Sequence, residues 1–201
     1  MISWLMANWI EVTGALLGLI YIFLSIKQNI LTWPVGLLTS ALYVYVFCIA
    51  KFYADMALQV YYVLVSLYGW YIWLKGSANN SKLMVSETPR NLWLWLTFAS
   101  VVCFVFIEFI LTNYTDSPIP MGDALTTALS LVATWMLARK YLEHWLVWIF
   151  VDFFSAVLYA IKGLWPTTIL FVVYTVMAVL GYLKWKNELN EPRLQTVKTV
   201  K

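Results

Sequence analysis

The chain has 201 residues, of which 63% are hydrophobic and 11% charged, with a formal charge of +3 and a mean hydropathy of +0.78. A water-soluble domain carries about a quarter charged residues, so this composition excludes one and implies a polytopic membrane protein. The small positive charge calls for no nucleic-acid partner, because a surplus of Lys and Arg beside anionic lipid accounts for it.

In chain order, seven stretches are long and apolar enough to cross a hydrocarbon core of about 30 Å. They fall at 9–26, 33–50, 54–74, 91–112, 122–138, 145–161 and 164–183. The first carries Glu11 near its start and lacks a basic leader, so it reads as a mature helix rather than a cleaved signal. Its Gly14 and Gly18 form a small-xxx-small step suited to close helix packing. The second span presents Trp33, Gly36, Ser40, Tyr43 and Phe47 on one face, and the third Asp55, Gln59, Tyr62 and Ser66. A loop with Asn79, Asn80, Ser81 and Pro89 leads to the fourth span, whose Glu108 reads as a packing, snorkelling or subunit-contact residue. Asp123 begins the fifth. In the sixth, Trp145, Trp148, Asp152, Ser155 and Tyr159 recur at steps of three and four. A polar tail follows the seventh.

The chain also repeats itself without a gap at an offset of 112: Glu11 falls on Asp123, Lys27 on Arg139, Trp33 on Trp145, Ser40 on Asp152, Tyr62 on Tyr174, Gly69 on Gly181 and Trp73 on Trp185. Each copy covers three spans, and a single linking span between them lets both copies enter the membrane from the same side. The expected organisation is a first three-helix repeat at 1–76, a loop and linking helix at 77–120, a second repeat at 121–188 and a polar cytoplasmic tail at 189–201. Parallel repeats of this kind belong to transporters that bind substrate between their halves. The basic residues set the orientation. Lys51 and Lys162 lie on one face and the other 11 of 13 on the opposite face, which predicts an external N-terminus and a cytoplasmic C-terminus in a bacterial inner membrane.

Asp152 stands near the middle of its span, where a carboxylate costs about 2.5–3.5 kcal/mol, so it should face the bundle interior, as a functional group by default or as a helix-joining one bonded to Ser or Tyr hydroxyls. Its counterpart Ser40 is neutral, which makes the expected site asymmetric. Substrate-binding candidates are Gln59, Trp145, Trp148, Asp152, Tyr62, Ser40, Trp33 and Tyr159, with Trp165 a further tryptophan on a polar-bearing span. Most other tryptophans, among them Trp4, Trp9 and Trp93, read as interfacial anchors. Cys48 and Cys103 lie in apolar runs and are expected as reduced, packed thiols. His144 stands alone, with no Cys or His cluster to hold a metal. Nucleotide-binding loops and catalytic constellations are absent, so neither an enzyme nor a cofactor is implied. A seven-helix receptor or a membrane-embedded enzyme stays open as a different class, but the duplicated polar stripes favour transport.

The stretch Phe52-Tyr53-Ala54-Asp55 through Leu58-Gln59, then Tyr68-Gly69-Trp70-Tyr71 and Trp73, with Arg139-Lys140-Tyr141-Leu142-Glu143 leading into Trp145, Trp148 and Lys162-Gly163-Leu164, resembles the Pnu family of bacterial vitamin transporters. The resemblance implies a 3+1+3 helix arrangement similar to full-length SWEET sugar transporters and a homotrimer. It also implies facilitated diffusion of a vitamin that a cytoplasmic kinase phosphorylates after entry. In the nicotinamide riboside branch the matching site has the glutamine at Gln59, the tryptophans at Trp145 and Trp148, and an asparagine where this chain has Asp152. A further asparagine of some members is here Ser40. A carboxylate in place of an amide favours a cation with amine donors, which points to thiamine first, with nicotinamide riboside, riboflavin or another vitamin as alternatives.

Overall fold

A computed structural model describes residues 9–50, 53–76 and 83–199, with side chains at 13–49, 56–76 and 83–190. Trp4, Trp9, Glu11, Lys51, Asp55 and the Asn79-Asn80-Ser81 loop lie outside the described side chains. Among the described residues seven helices follow one another: α1 (Trp9–Ile26), α2 (Thr32–Ala50), α3 (Tyr53–Lys75), α4 (Arg90–Tyr114), α5 (Pro120–Ala138), α6 (His144–Ile161) and α7 (Trp165–Thr199). Six are long and apolar enough to cross a membrane, and α1 is apolar from Thr13 to Ile26. The hydroxyls these helices carry are absorbed by their own turns. Ser25 donates to the Tyr21 carbonyl at 2.8 Å, Ser130 to Thr126 at 2.8 Å and Thr134 to Ser130 at 2.7 Å, which lets small polar residues sit among lipid-excluded helices without cross-helix partners.

By internal contacts the chain divides into Met1–Lys82, holding α1 to α3, and Leu83–Lys201, holding α4 to α7. In the first unit α2 packs against both α1 and α3; in the second α6 packs against both α5 and α7. The linking helix α4 belongs to the second unit, where it packs on α5 and where Leu96, Met136 and Tyr141 form a small core.

The duplication is visible in the backbone. Gln28 and Lys140, 112 residues apart, both take left-handed conformations, at φ 51° and 54°. The next amides, of Asn29 and Tyr141, donate to Leu24 and Met136 carbonyls at 2.9 and 3.1 Å, while Gln28 and Lys140 donate to Ser25 and Leu137 at 3.0 and 2.9 Å. This is the Schellman closure of a helix C-terminus, made twice. The following helices also begin alike: Thr32 and His144 amides donate to Asn29 and Tyr141, and Trp33 and Trp145 amides to Ile30 and Leu142.

Two features depart from the sequence expectation. The helix α7 does not stop with its apolar run but continues through the polar tail to Thr199, whereas α3 ends at Lys75 beside Gly76 (φ 70°). Cys48 is a free thiol but sits exposed on α2 rather than packed, on the same turn as the exposed Tyr45 and Ile49.

Candidate functional site

The α6 stripe points inward. Trp145, Asp152 and Ser155 are buried, Trp148 and Tyr159 half-buried, and the far side of the helix exposes Phe150, Phe153 and Val157. Asp152 is 3% exposed, and among the described residues nothing donates a hydrogen bond to its carboxylate. Ser155, one turn on, is also buried. A carboxylate in a membrane bundle that folds without a partner is available to a ligand.

The tryptophans separate into two kinds. Trp33 and Trp145 are sunk into helix contacts, 0% and 2% exposed. Each indole lies against a glycine of the third helix in its triplet: a Cβ at Gly69 would collide with the Trp33 ring, and one at Gly181 would lie 2.7 Å from three atoms of Trp145. Each meets a second tryptophan edge-on, Trp73 at 5.3 Å and 90°, Trp185 at 5.6 Å and 88°. These matched Trp-Gly-Trp clamps hold α2 to α3 and α6 to α7, and the two indole Nε1 groups are buried without a hydrogen-bond partner among the described residues. Trp148 differs: it is half-buried and has no ring partner among the described residues. Trp165 is 63% exposed at the start of α7.

In the first unit Ser40 is buried on α2, and Gln59 and Tyr62 are half-buried on α3 beside buried Ser66. Gln59 has no hydrogen-bond partner among the described residues. Tyr62 lies 5.7 Å from Tyr61 edge-on. In the second unit the Tyr159 ring is 5.0 Å from Phe171, the counterpart of Gln59. The two halves are therefore chemically unequal at matched positions, amide against phenyl on the third helix and hydroxyl against carboxylate on the second.

Other polar residues are tied up structurally. Asp123 accepts from Ser117 Oγ at 2.7 Å and pairs with Lys162 Nζ at 3.4 Å, joining the start of α5 to the end of α6. Glu108 accepts from Thr112 Oγ1 at 3.0 Å within α4. Among the described residues no group of three potential metal ligands exists.

Three features were not foreseen. His144 is fully buried between Trp145 and Trp185, at 4.5 and 4.9 Å, with Nδ1 on the Tyr141 carbonyl at 2.6 Å. A strap before α4 is bound to the α5–α6 connection: the Ser86 amide donates to the Lys140 carbonyl and the Leu142 amide to Ser86, while the Thr88 amide and hydroxyl donate to Glu143 Oε2 at 2.9 and 2.7 Å. Tyr21 of α1 lies over Gly36 of α2. Only the last had a signal in sequence, a helical position at which the two repeats trade large for small.

A family model described as nicotinamide mononucleotide transporter matches residues 8–187. The nicotinamide riboside transporter PnuC of Escherichia coli (strain K12) is 27% identical over 209 residues, covering 92% of this chain and 87% of that protein. The riboflavin/roseoflavin transporter RibM of Streptomyces davaonensis is 27% identical over 184 residues, covering 88% and 84%. A crystal structure of the vitamin B3 transporter PnuC superposes with a TM-score of 0.70 at 28% identity, covering 91% of this chain and 83% of that one.

Proposed function

The chain belongs to the nicotinamide mononucleotide transporter family, and from that premise we propose that it carries nicotinamide riboside across the membrane by facilitated diffusion. It is a multi-pass membrane transporter and not an enzyme. The observation that carries the substrate is the likeness, over nearly the whole chain, to the vitamin B3 transporter structure. The thiamine expectation has no support among the relatives above. It rested on the Asp152 carboxylate, and nicotinamide riboside is itself a cation, so that carboxylate serves it equally.

In this reading Trp148 stacks on the pyridinium ring and Asp152 supplies the opposing charge, with Tyr159 further along the same helix face. In the first unit Gln59, which offers both donor and acceptor, Ser40 and Tyr62 are the candidates for the rest of the vitamin. Trp33 and Trp145 fix the helices that carry these residues. The family description names the mononucleotide, whose phosphate would meet the Asp152 carboxylate with like charge; the nucleoside avoids that penalty. The RibM relative keeps riboflavin as the competing ligand.

We propose the two triplets as a 3+1+3 arrangement, assembled as a homotrimer, with a cytoplasmic kinase trapping the vitamin. Proteoliposomes should fill with labelled nicotinamide riboside only to the outside concentration, and above it once kinase and ATP are enclosed. Accumulation without kinase or ion gradient overturns passive transport. The C-terminus is proposed to be cytoplasmic, on the 2 against 11 split of basic residues. A C-terminal reporter that fluoresces only in the cytoplasm should light up, and a C-terminal tag cut by external protease in spheroplasts reverses the orientation.

A further inference from the structure

A hydroxyl inside a membrane helix costs free energy unless something accepts its proton, and the second unit shows the usual remedy. Ser100, Thr126, Ser130, Thr134 and Thr175 each donate to a carbonyl one turn back, at 2.7–3.1 Å. Ser155 does not. It is 6% exposed in the middle of α6, yet among the described residues its hydroxyl makes no hydrogen bond, neither to the Val151 carbonyl one turn back nor to Asp152. Residues three apart are neighbours on a helix surface, so a buried hydroxyl and a buried carboxylate lie side by side on α6, each without a hydrogen bond from the rest of the described chain. Small volume alone does not ask for a serine: where this unit packs tightly it uses Ala128, Ala133 and Ala178, at 0–1% exposure.

The other half shows what else the position can hold. At the offset of 112, Ser155 falls on Tyr43, Asp152 on Ser40 and Thr126 on Gly14. In the first unit the Tyr43 phenol fills the space over α1, where a Cβ on Gly14 would collide with its hydroxyl and lie 3.4 Å from its Cζ. In the second unit a hydroxymethyl group replaces that ring, and the Thr126 that stands for Gly14 returns only part of the volume. The half that carries the carboxylate is thus the half that gives up the ring beside it. We propose that Asp152 and Ser155 form a two-point site for neighbouring hydroxyls of the substrate's sugar, the carboxylate accepting from one and Ser155 both donating and accepting. This rests on the nicotinamide riboside reading above and says which part of that molecule the pair holds. In such a nucleoside the cationic ring nitrogen is bonded to the sugar carbon next to the one bearing the 2′-hydroxyl. A carboxylate that grips this hydroxyl therefore also faces the charge.

The test is a binding titration of the full chain with nicotinamide riboside, its 2′-deoxy and 3′-deoxy analogues, thiamine and riboflavin, for wild type and Ser155→Ala. Alanine keeps the small volume, so the thermal midpoint should hold at or above the wild-type value. Affinity for nicotinamide riboside should fall about threefold to tenfold, the loss of one neutral hydrogen bond. At least one deoxy analogue should bind wild type more weakly than the parent and lose nothing further in Ser155→Ala, because the two ends of one contact do not count twice. Equal affinity of wild type and Ser155→Ala for nicotinamide riboside assigns Ser155 to packing and overturns the proposal. So does a lowered midpoint, which gives the hydroxyl a partner in the protein, and so do deoxy analogues that both bind like the parent. Wild type preferring riboflavin overturns the nicotinamide riboside reading alone, and Ser155→Ala is then judged on riboflavin, whose side chain also carries neighbouring hydroxyls. Preference for thiamine, which has no such pair, or binding of none of these compounds overturns both.

Discussion

Asp152→Ala should bind nicotinamide riboside about tenfold to a hundredfold more weakly than wild type while melting no lower. The loss follows from removing a charge-assisted contact, worth roughly 1.5–3 kcal/mol, at about 1.4 kcal/mol per decade of affinity. The stability expectation has the opposite sign to that for an ordinary buried ion. Taking away one member of a buried pair leaves the other stranded and destabilises strongly. Here no protein group donates to the carboxylate among the described residues, so nothing is stranded, and an unfavourable charge at membrane depth is removed. Asp152→Asn keeps one acceptor oxygen and should lose less affinity than Asp152→Ala. A folded Asp152→Ala protein with unchanged affinity shows that the carboxylate is structural, and a strongly lowered melting temperature shows that it has a protein partner after all.

The helices were legible in the sequence because a membrane reduces folding to length and hydropathy: the first six begin and end within a few residues of their apolar runs, whereas α7 runs on past its own to Thr199. The inward stripe of α6 was legible too, since polar residues at steps of three and four can face only one way. The roles of the tryptophans were not. Trp145 and Trp148 share one face and one residue type, and what separates them lies on another helix: Gly181 receives the Trp145 indole, and among the described residues nothing aromatic meets Trp148. The strap from Ser86 and Thr88 to Lys140, Leu142 and Glu143 was equally hidden, because a segment with no periodicity of its own gives no sign of its distant partner. Tyr21 was readable in principle. At an offset of 112 it falls on Ala133 just as Gly36 falls on Trp148, and reciprocal size changes in aligned repeats signal a shared space.

The clamps should be the most sensitive points of the fold, and Gly181→Leu is expected to leave no folded protein after detergent extraction. The Cβ alone would sit 2.7 Å from Cε2, Cη2 and Cζ2 of Trp145. That ring cannot yield as a flexible chain end would, since Trp185 stands on its edge at 5.6 Å and His144 is 4.5 Å away. Gly181→Ala forces the same approach with fewer atoms and should lower stability by roughly 1–3 kcal/mol, the usual cost of overpacking. Within a membrane close packing is what joins helices, lipid being as apolar as leucine, so the damage falls on the α6–α7 contact itself. Trp145→Ala opens the complementary void, and combining it with Gly181→Leu puts side-chain volume back into that space. The double variant should therefore be more stable than the sum of the single losses predicts, the mark of residues in direct contact. Trp148→Ala is the control from the same face: it should melt near wild type and lose vitamin affinity, whereas Trp145→Ala should lose stability first. Gly181→Leu folding with a wild-type melting temperature, or Trp145→Ala losing affinity without stability, returns Trp145 from the clamp to the substrate.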